Sequence, residues 1–200
     1  MYSNRPEPVF SFDLQNHKSG IVLRYIMKKA TIVYIIDPDT QEVLMAKKTR
    51  KVGVGYWFGY GGKIDPDETP KDCTIRETYT ETGEKITLMR EQLEPVALID
   101  FYNEEKMVPG TDDPSFRVLF YRALVAKGTI GTAITTDEMA DPTWFRITQL
   151  PWKAIMPGDE LFIPQVLLGA AVKGWVHFSD GTKTVIGYDL KKCASGDLVI

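Results

Sequence analysis

Two hundred residues, 44% apolar and 26% charged, suffice to bury one proper core, so one globular domain is the expected scale. The formal net charge of −3 carries no basic excess, which argues against a nucleic-acid duplex as partner and leaves small anionic ligands open. No uninterrupted apolar run approaches bilayer length, and the start "MYSNRPEPVFSFDLQNHKSG" lacks a basic region followed by an apolar one, so neither a membrane nor export is expected.

In chain order, residues 1–25 read as a polar, proline-bearing arm, and residues 26–200 as the domain. "KKATIVYIID" is β-branched and apolar, and "PDT" turns the chain into "EVLMAKKT", which predicts a first hairpin. The glycines of "VGVGYWFGYGG" permit tight loops and close backbone approach to a ligand, as a glycine-rich hairpin also would. "EPVALIDFYN" and "SFRVLFYRALVA" are predicted strands around a polar loop, and "DPTWFRITQLP" is another. Within that last strand Trp144 and Phe145 should face opposite sides and serve packing. "DELFIPQVLLGAAVKG" carries a helical apolar stripe, Leu161, Phe162, Val166, Leu167 and Ala170, which Gly174 is expected to close. "WVHFSDGTKTVIGYDL" predicts a final hairpin with a two-residue turn at Asp180-Gly181.

One further helix is built from poor helix formers. In "GKIDPDETPKDCTIRETYTETG", residues 62–83, Thr69 suits the N-cap, Pro70 the first helical position and Asp72 the dipole, so a helix of about four turns should begin near residue 70 and stop at Gly83. Glu77 and Glu81 lie four apart and share a face with Thr80, while Ile75 and Tyr79 point elsewhere, toward a sheet. Two ionised carboxylates at that spacing repel by roughly 0.2–0.5 kcal/mol, and the threonines add a propensity cost. A hard divalent cation removes that conflict, because Mg²⁺ takes carboxylate oxygens together with the phosphates of a substrate. A merely solvated acidic face is the alternative for this pair taken alone.

The whole segment fits G-x5-E-x7-R-E-U-x-E-E-x-G-U through Gly62, Glu68, Arg76, Glu77, Glu81 and Gly83, with Thr80 missing one fixed position. The chain thereby resembles the Nudix hydrolases. The resemblance implies an α+β fold, an α/β/α sandwich with a mixed sheet and the box loop-helix. "VLMAKKTRKVGVGYWFGYGGKI", "TTDEMADPTWFRITQLPWKAIMPGDELFIP" and the terminal "WVHFSDGTKTVIGYDL" look like the MutT-homologue oxidised purine nucleoside triphosphatases, a likeness running from about residue 28 to 191.

That resemblance implies hydrolysis of a linked nucleoside diphosphate by water, with Mg²⁺, or Mn²⁺ in its place, neutralising the phosphate oxygens and activating the water. By position it assigns the Gly61 carbonyl, Glu77, Glu81 and Glu138 as metal ligands. Arg76 would orient the box acids, Glu68 would brace the loop-helix turn, and Lys48 would present a positive charge to the ligand. Thr80 stands where the box has the first acid of its pair, and Thr78 and Glu84 stand at its bulky aliphatic positions. Phe58 stands where relatives have an asparagine amide, Met156 where they have a stacking tryptophan, and Gly158 where they have a carboxylate, leaving Asp159 as the acid on that side. An apolar pocket with few donors discriminates weakly, so 8-oxo-dGTP is the first substrate to try and other nucleoside triphosphates follow. The alternatives are cleavage of another nucleoside diphosphate derivative such as ADP-ribose, and a Nudix module that senses a nucleotide without turnover.

Of the remaining reactive side chains, His17 and His177 are lone, and Cys73 and Cys193 form no framework. A structural or surface role is expected for the histidines, buried packing for Cys73, and a reducing cytoplasm for the whole chain.

Overall fold

In the computed structural model, which describes residues 27–200, the first strand, β1 (Lys28–Asp37), is buried on both faces. Val33 and Ile35 enter one apolar cluster, and Ala30, Tyr34 and Ile36 enter another on the opposite side, as a central strand with period-two side chains requires. The sheet built around it contains β2 (Glu42–Lys48), β3 (Trp57–Phe58), β4 (Glu94–Tyr102), β5 (Phe116–Leu124), β6 (Met139–Arg146), β7 (Val172–Phe178) and β8 (Val185–Lys192). Its order is β3-β2-β1-β5-β4-β7-β8, with β6 also paired to β2. The β1/β5 and β4/β7 pairs are parallel and the others antiparallel, so the sheet is mixed. The arm expected over residues 1–25 lies outside the described residues.

One face of the sheet carries Phe120, Phe162 and Phe178, packed with Ile163, Val166 and Leu167 of the short helix α2 (Ile163–Leu167). The other carries Tyr60, Leu88, Leu119 and Tyr121, with Ile75 of helix α1 (Pro70–Glu81) against them. Helix, sheet and helix therefore form the α/β/α layering that the resemblance implied. Each fully buried phenylalanine contributes about 1.5–3 kcal/mol relative to exposure. Trp144 and Phe145 do divide between the two faces.

The structure departs from the sequence reading at four places. Helix α1 has 12 residues, a little over three turns where about four were expected, and Thr82 is its C-cap; Gly83 then adopts a φ of +71°, the left-handed conformation that terminates helices, and ends it as expected. Tyr79 is 40% exposed instead of packed on the sheet. The buried face of α1 is Cys73, Thr74, Thr78 and Glu81, and it meets its neighbours partly through polar contacts, with Thr31 Oγ1 donating to Cys73 Sγ at 3.5 Å and the Gly61 N–H donating to Glu81 at 2.9 Å. Helix α2 is stopped by Gly169, at φ +88°, and Gly174 lies inside β7 against the Asp189 carbonyl of β8. The final hairpin has a six-residue connection, 179–184, because the Asp180 carboxylate accepts the backbone N–H groups of Lys183 and Thr184 and stabilises a wider loop.

Candidate active site

The loop leading into α1 and the first turns of that helix are organised around one guanidinium. Thr69 caps the helix by accepting the Asp72 N–H, and Pro70 follows at the first helical position. Arg76 then reaches back: its Nε and Nη2 donate to the two oxygens of Glu68 at 3.0 and 2.5 Å, and its Nη1 donates to Glu77 Oε1 at 2.7 Å. Glu68 also accepts the Asp65 N–H at 2.9 Å. The Arg76 guanidinium, with that N–H, holds the Glu68 carboxyl down at about 2. This is the bracing role expected of Glu68, and the fork geometry of arginine suits two carboxylates at once. The Glu77 carboxylate lies over Gly62, where an added Cβ would stand 2.5 Å from its carboxyl carbon. Only glycine leaves that space.

One turn later, Glu81 is 3% exposed. Its Oε2 accepts the Gly61 N–H at 2.9 Å and its Oε1 accepts from Lys48 Nζ at 2.7 Å. Lys48, at the end of β2, also stands 3.0 Å from Glu138 Oε1. Burial raises the Glu81 pKa because it outweighs the single ammonium and the one backbone donor. Lys48 is raised as well: burial opposes its charge, but two carboxylates outweigh that burial. Glu138 has further partners in Lys51 at 2.8 Å and Arg50 at 3.1 Å. Against its own partial burial, Lys51 and Lys48 hold it down at about 2. Arg50 and Lys51 were absent from the sequence reading, although only Thr49 separates them from Lys48 in "AKKTRK" and a basic run beside a predicted acid cluster was the available signal.

The segment bearing Glu138 is tied down from both sides. Thr49 N–H donates to the Glu138 carbonyl at 3.0 Å, and Thr136 Oγ1 accepts the N–H of Met139 at 3.1 Å. Ile134 N–H bonds to the Thr82 carbonyl at 3.2 Å, and a Cβ at Gly83 would meet the Ile134 side chain at 2.3 Å. Residues 57 positions apart in sequence, Glu81 and Glu138, are thus brought to one ammonium.

The sequence and fold have counterparts among known proteins. The profile of the NUDIX domain matches residues 27–166. The chain belongs to the Nudix family. It is 30% identical over 165 residues to the oxidized purine nucleoside triphosphate hydrolase of Mus musculus, a match covering 82% of this chain and 95% of the relative. The protein of the same description from Danio rerio is 29% identical over 156 residues, covering 77% and 88%. Among solved structures, the mutator MutT protein from Bacillus halodurans superposes with a TM-score of 0.66 at 19% identity, covering 82% of this chain and 98% of that one.

Nudix proteins generally use divalent metal ions, and the donor set of this Nudix chain suits one. All of the assigned side-chain donors are hard carboxylate oxygens. Glu77 and Glu81 flank the Gly61-Gly62 backbone closely enough that the charge of Glu77 raises Glu81 further. Among the described residues no three acidic, histidine or cysteine side chains converge as they stand. Arg76 draws Glu77 to one side, while Lys48 spans Glu81 and Glu138. Thr80, at the position of the missing box acid, is exposed.

On the side assigned to the base, Trp57 packs on the α2 face of the sheet and Phe58 on the α1 face, where its ring fills the space over Gly53. Ile155 forms a parallel bridge with Trp57, which sets the 155–159 segment alongside β3. Met156 and Asp159 follow in that segment, both buried. The structure therefore sets the segment bearing Met156 and Asp159 beside Trp57 and places Phe58 across the sheet from Trp57. Burial, with the nearby charge of Glu160, pushes the Asp159 carboxyl up to about 8. Cys73 has the expected packing role, its thiol fully buried and pushed up to about 12 by that burial. No described helix is long and apolar enough to cross a membrane.

Proposed function

We propose that this chain is a Mg²⁺-dependent nucleoside triphosphate pyrophosphohydrolase, acting in the cytoplasm, that releases a nucleoside monophosphate and pyrophosphate. The observation that carries this reading is the meeting of Glu81 and Glu138 at Lys48, with Glu81 bonded to the Gly61 N–H and the Glu77 carboxylate over the neighbouring Gly62. When bound there, Mg²⁺ (or Mn²⁺) supplies positive charge to phosphate oxygens and acidifies water. Glu77, Glu81, Glu138 and the Gly61 carbonyl are the residues to hold it.

The remaining groups bind and orient. Arg76 keeps Glu77 and Glu68 in fixed rotamers, so the loop and helix present their oxygens as one rigid unit. Lys48 lies between the acids and is free to transfer its charge to an incoming phosphate once they are otherwise neutralised. Met156 and Asp159 are the residues to bound the base from the Trp57 side, while Phe58, on the opposite face, packs against Gly53 of the glycine loop. The relatives' substrates make oxidised purine nucleotides, 8-oxo-dGTP first, the leading candidates.

The test is incubation with Mg²⁺ and a panel of ordinary and oxidised nucleoside triphosphates and ADP-ribose, following pyrophosphate, orthophosphate and nucleoside monophosphate. Pyrophosphate release from a triphosphate is expected. Cleavage of ADP-ribose alone would reassign the substrate, and no turnover of any compound would leave a nucleotide-sensing module as the better account.

A further inference from the structure

Glu138 gathers three cations, and two of them are not needed to hold it. Its Oε1 faces Lys48 Nζ at 3.0 Å, while its Oε2 accepts from Lys51 Nζ at 2.8 Å and is approached by Arg50 through Nε at 3.2 Å and Nη2 at 3.1 Å. The backbone already fixes the segment, because Thr49 N–H donates to the Glu138 carbonyl, Thr49 Oγ1 donates to the Asp137 carbonyl, and Thr136 Oγ1 accepts the Met139 N–H. Lys48 supplies the buried counter-charge. The side chains of Arg50 and Lys51, by contrast, are 56% and 65% exposed. Ion pairs open to water contribute little to stability, and cations crowded on one carboxylate repel one another.

The charge left over points to an anion. Lys48, Arg50 and Lys51 share only Glu81 and Glu138, three positive groups against two negative ones. Arg50 makes no other side-chain contact of this kind among the described residues, and neither exposed cation spends all of its N–H donors on the one oxygen it meets. The contacts run in series, from Glu81 through Lys48 to one oxygen of Glu138, with Arg50 and Lys51 on the other. The loop that carries them is closed at its base, where Gly55 N–H donates to the Lys48 carbonyl at 2.8 Å and Lys48 N–H to the Tyr56 carbonyl at 2.9 Å. Lys51 itself holds a φ of +65°, a left-handed conformation that lysine rarely adopts. A chain of phosphates, anchored at one end through a cation on the acids, offers anionic oxygens in a row beyond them, and a guanidinium beside an ammonium suits those oxygens.

We infer that Arg50 and Lys51 are substrate-binding residues, which leave Glu138 when a divalent cation occupies it and take the terminal phosphates of a nucleoside triphosphate, those released as pyrophosphate. The inference rests on the hydrolase reading proposed above and adds to it what selects the number of phosphates, since a diphosphate reaches fewer of these donors than a triphosphate. Both residues bind and orient, and no covalent bond is made or broken on them.

The experiment is the double variant Arg50→Gln with Lys51→Gln, which removes both charges and keeps polar side chains of similar reach. Two readouts need no turnover: calorimetric affinity for inorganic pyrophosphate in saturating Mg²⁺, and the Mg²⁺ concentration that gives half of the thermal shift without nucleotide. A third is kcat/KM for 8-oxo-dGTP against 8-oxo-dGDP. Pyrophosphate affinity and the preference for the triphosphate should each fall by about tenfold or more, the scale of a charged hydrogen bond. The Mg²⁺ concentration for half the shift should fall as well, because two competing cations have left Glu138, and a damaged fold would not tighten Mg²⁺ binding while it weakened pyrophosphate binding. A wild type that hydrolyses neither nucleotide, but whose pyrophosphate affinity is lost in R50Q/K51Q, would overturn the proposed activity and support the role of the two cations. A wild type that binds no pyrophosphate, a pyrophosphate affinity or triphosphate preference within twofold of wild type in the variant, or a Mg²⁺ requirement that does not fall, would overturn the role itself.

Discussion

Lys48 Nζ stands 2.7 Å from Glu81 Oε1, with 13% and 3% of the two side chains exposed, and the same ammonium reaches Glu138. A buried carboxylate is tolerated only when paired and hydrogen-bonded. In this protein the partner is a lysine from the end of β2, inside the acid cluster assigned to a cation.

Replacing Lys48 with methionine should therefore leave Glu81 uncompensated and destabilise the protein by about 3 kcal/mol, the scale of a broken buried pair. Added Mg²⁺ should raise the thermal midpoint of K48M more than that of the wild type. Equal Mg²⁺ responses in the two proteins would count against the shared location of lysine and cation.

Glu81 and Thr80 test the acids themselves. Glu81→Gln keeps shape and removes charge, so turnover should fall by about 100-fold or more, as when a group acting at the reacting centre is lost. Thr80→Glu restores an acid at an exposed helix position and should lower the Mg²⁺ concentration needed for half-maximal activity. Unimpaired turnover in E81Q would refute the assignment.

Arg76→Lys preserves charge but not the fork that holds Glu68 and Glu77 together. A 10- to 100-fold drop in kcat, typical for loss of a group that orients ligands, is expected with little change in the far-ultraviolet circular dichroism. Wild-type kcat in R76K would show that Glu77 needs no such support.

Asp159 makes a prediction in pH. Its folded pKa of about 8 lies above the ordinary 3.8, so between those values the unfolded chain has released a proton that the folded chain keeps. Stability must then fall as pH rises toward about 8 and level off beyond it. Asp159→Asn lacks this dependence. The difference in thermal midpoint between D159N and wild type should move in favour of the variant from pH 5 to 9, and a constant difference across that range would rule out a buried, proton-holding Asp159.

The residues of the box were legible in the sequence because their chemistry is local. Thr69, Pro70 and Asp72 start α1 through contacts within one turn, and the Glu68, Arg76 and Glu77 contacts span at most eight residues. Alternation likewise marked β1, β2, β4 and β5, since a strand buried on one or both faces writes its period into the side chains. The lengths of α2 and of the last loop were less legible, because Gly169 and Gly174 look equivalent in one dimension and only the pairing of β7 with β8 shows which one ends the helix. The meeting of Lys48, Glu81 and Glu138 was decided by tertiary structure alone. Tertiary packing carries each pair together across 33 to 90 positions of chain, and no local pattern encodes which buried charge a distant side chain will face.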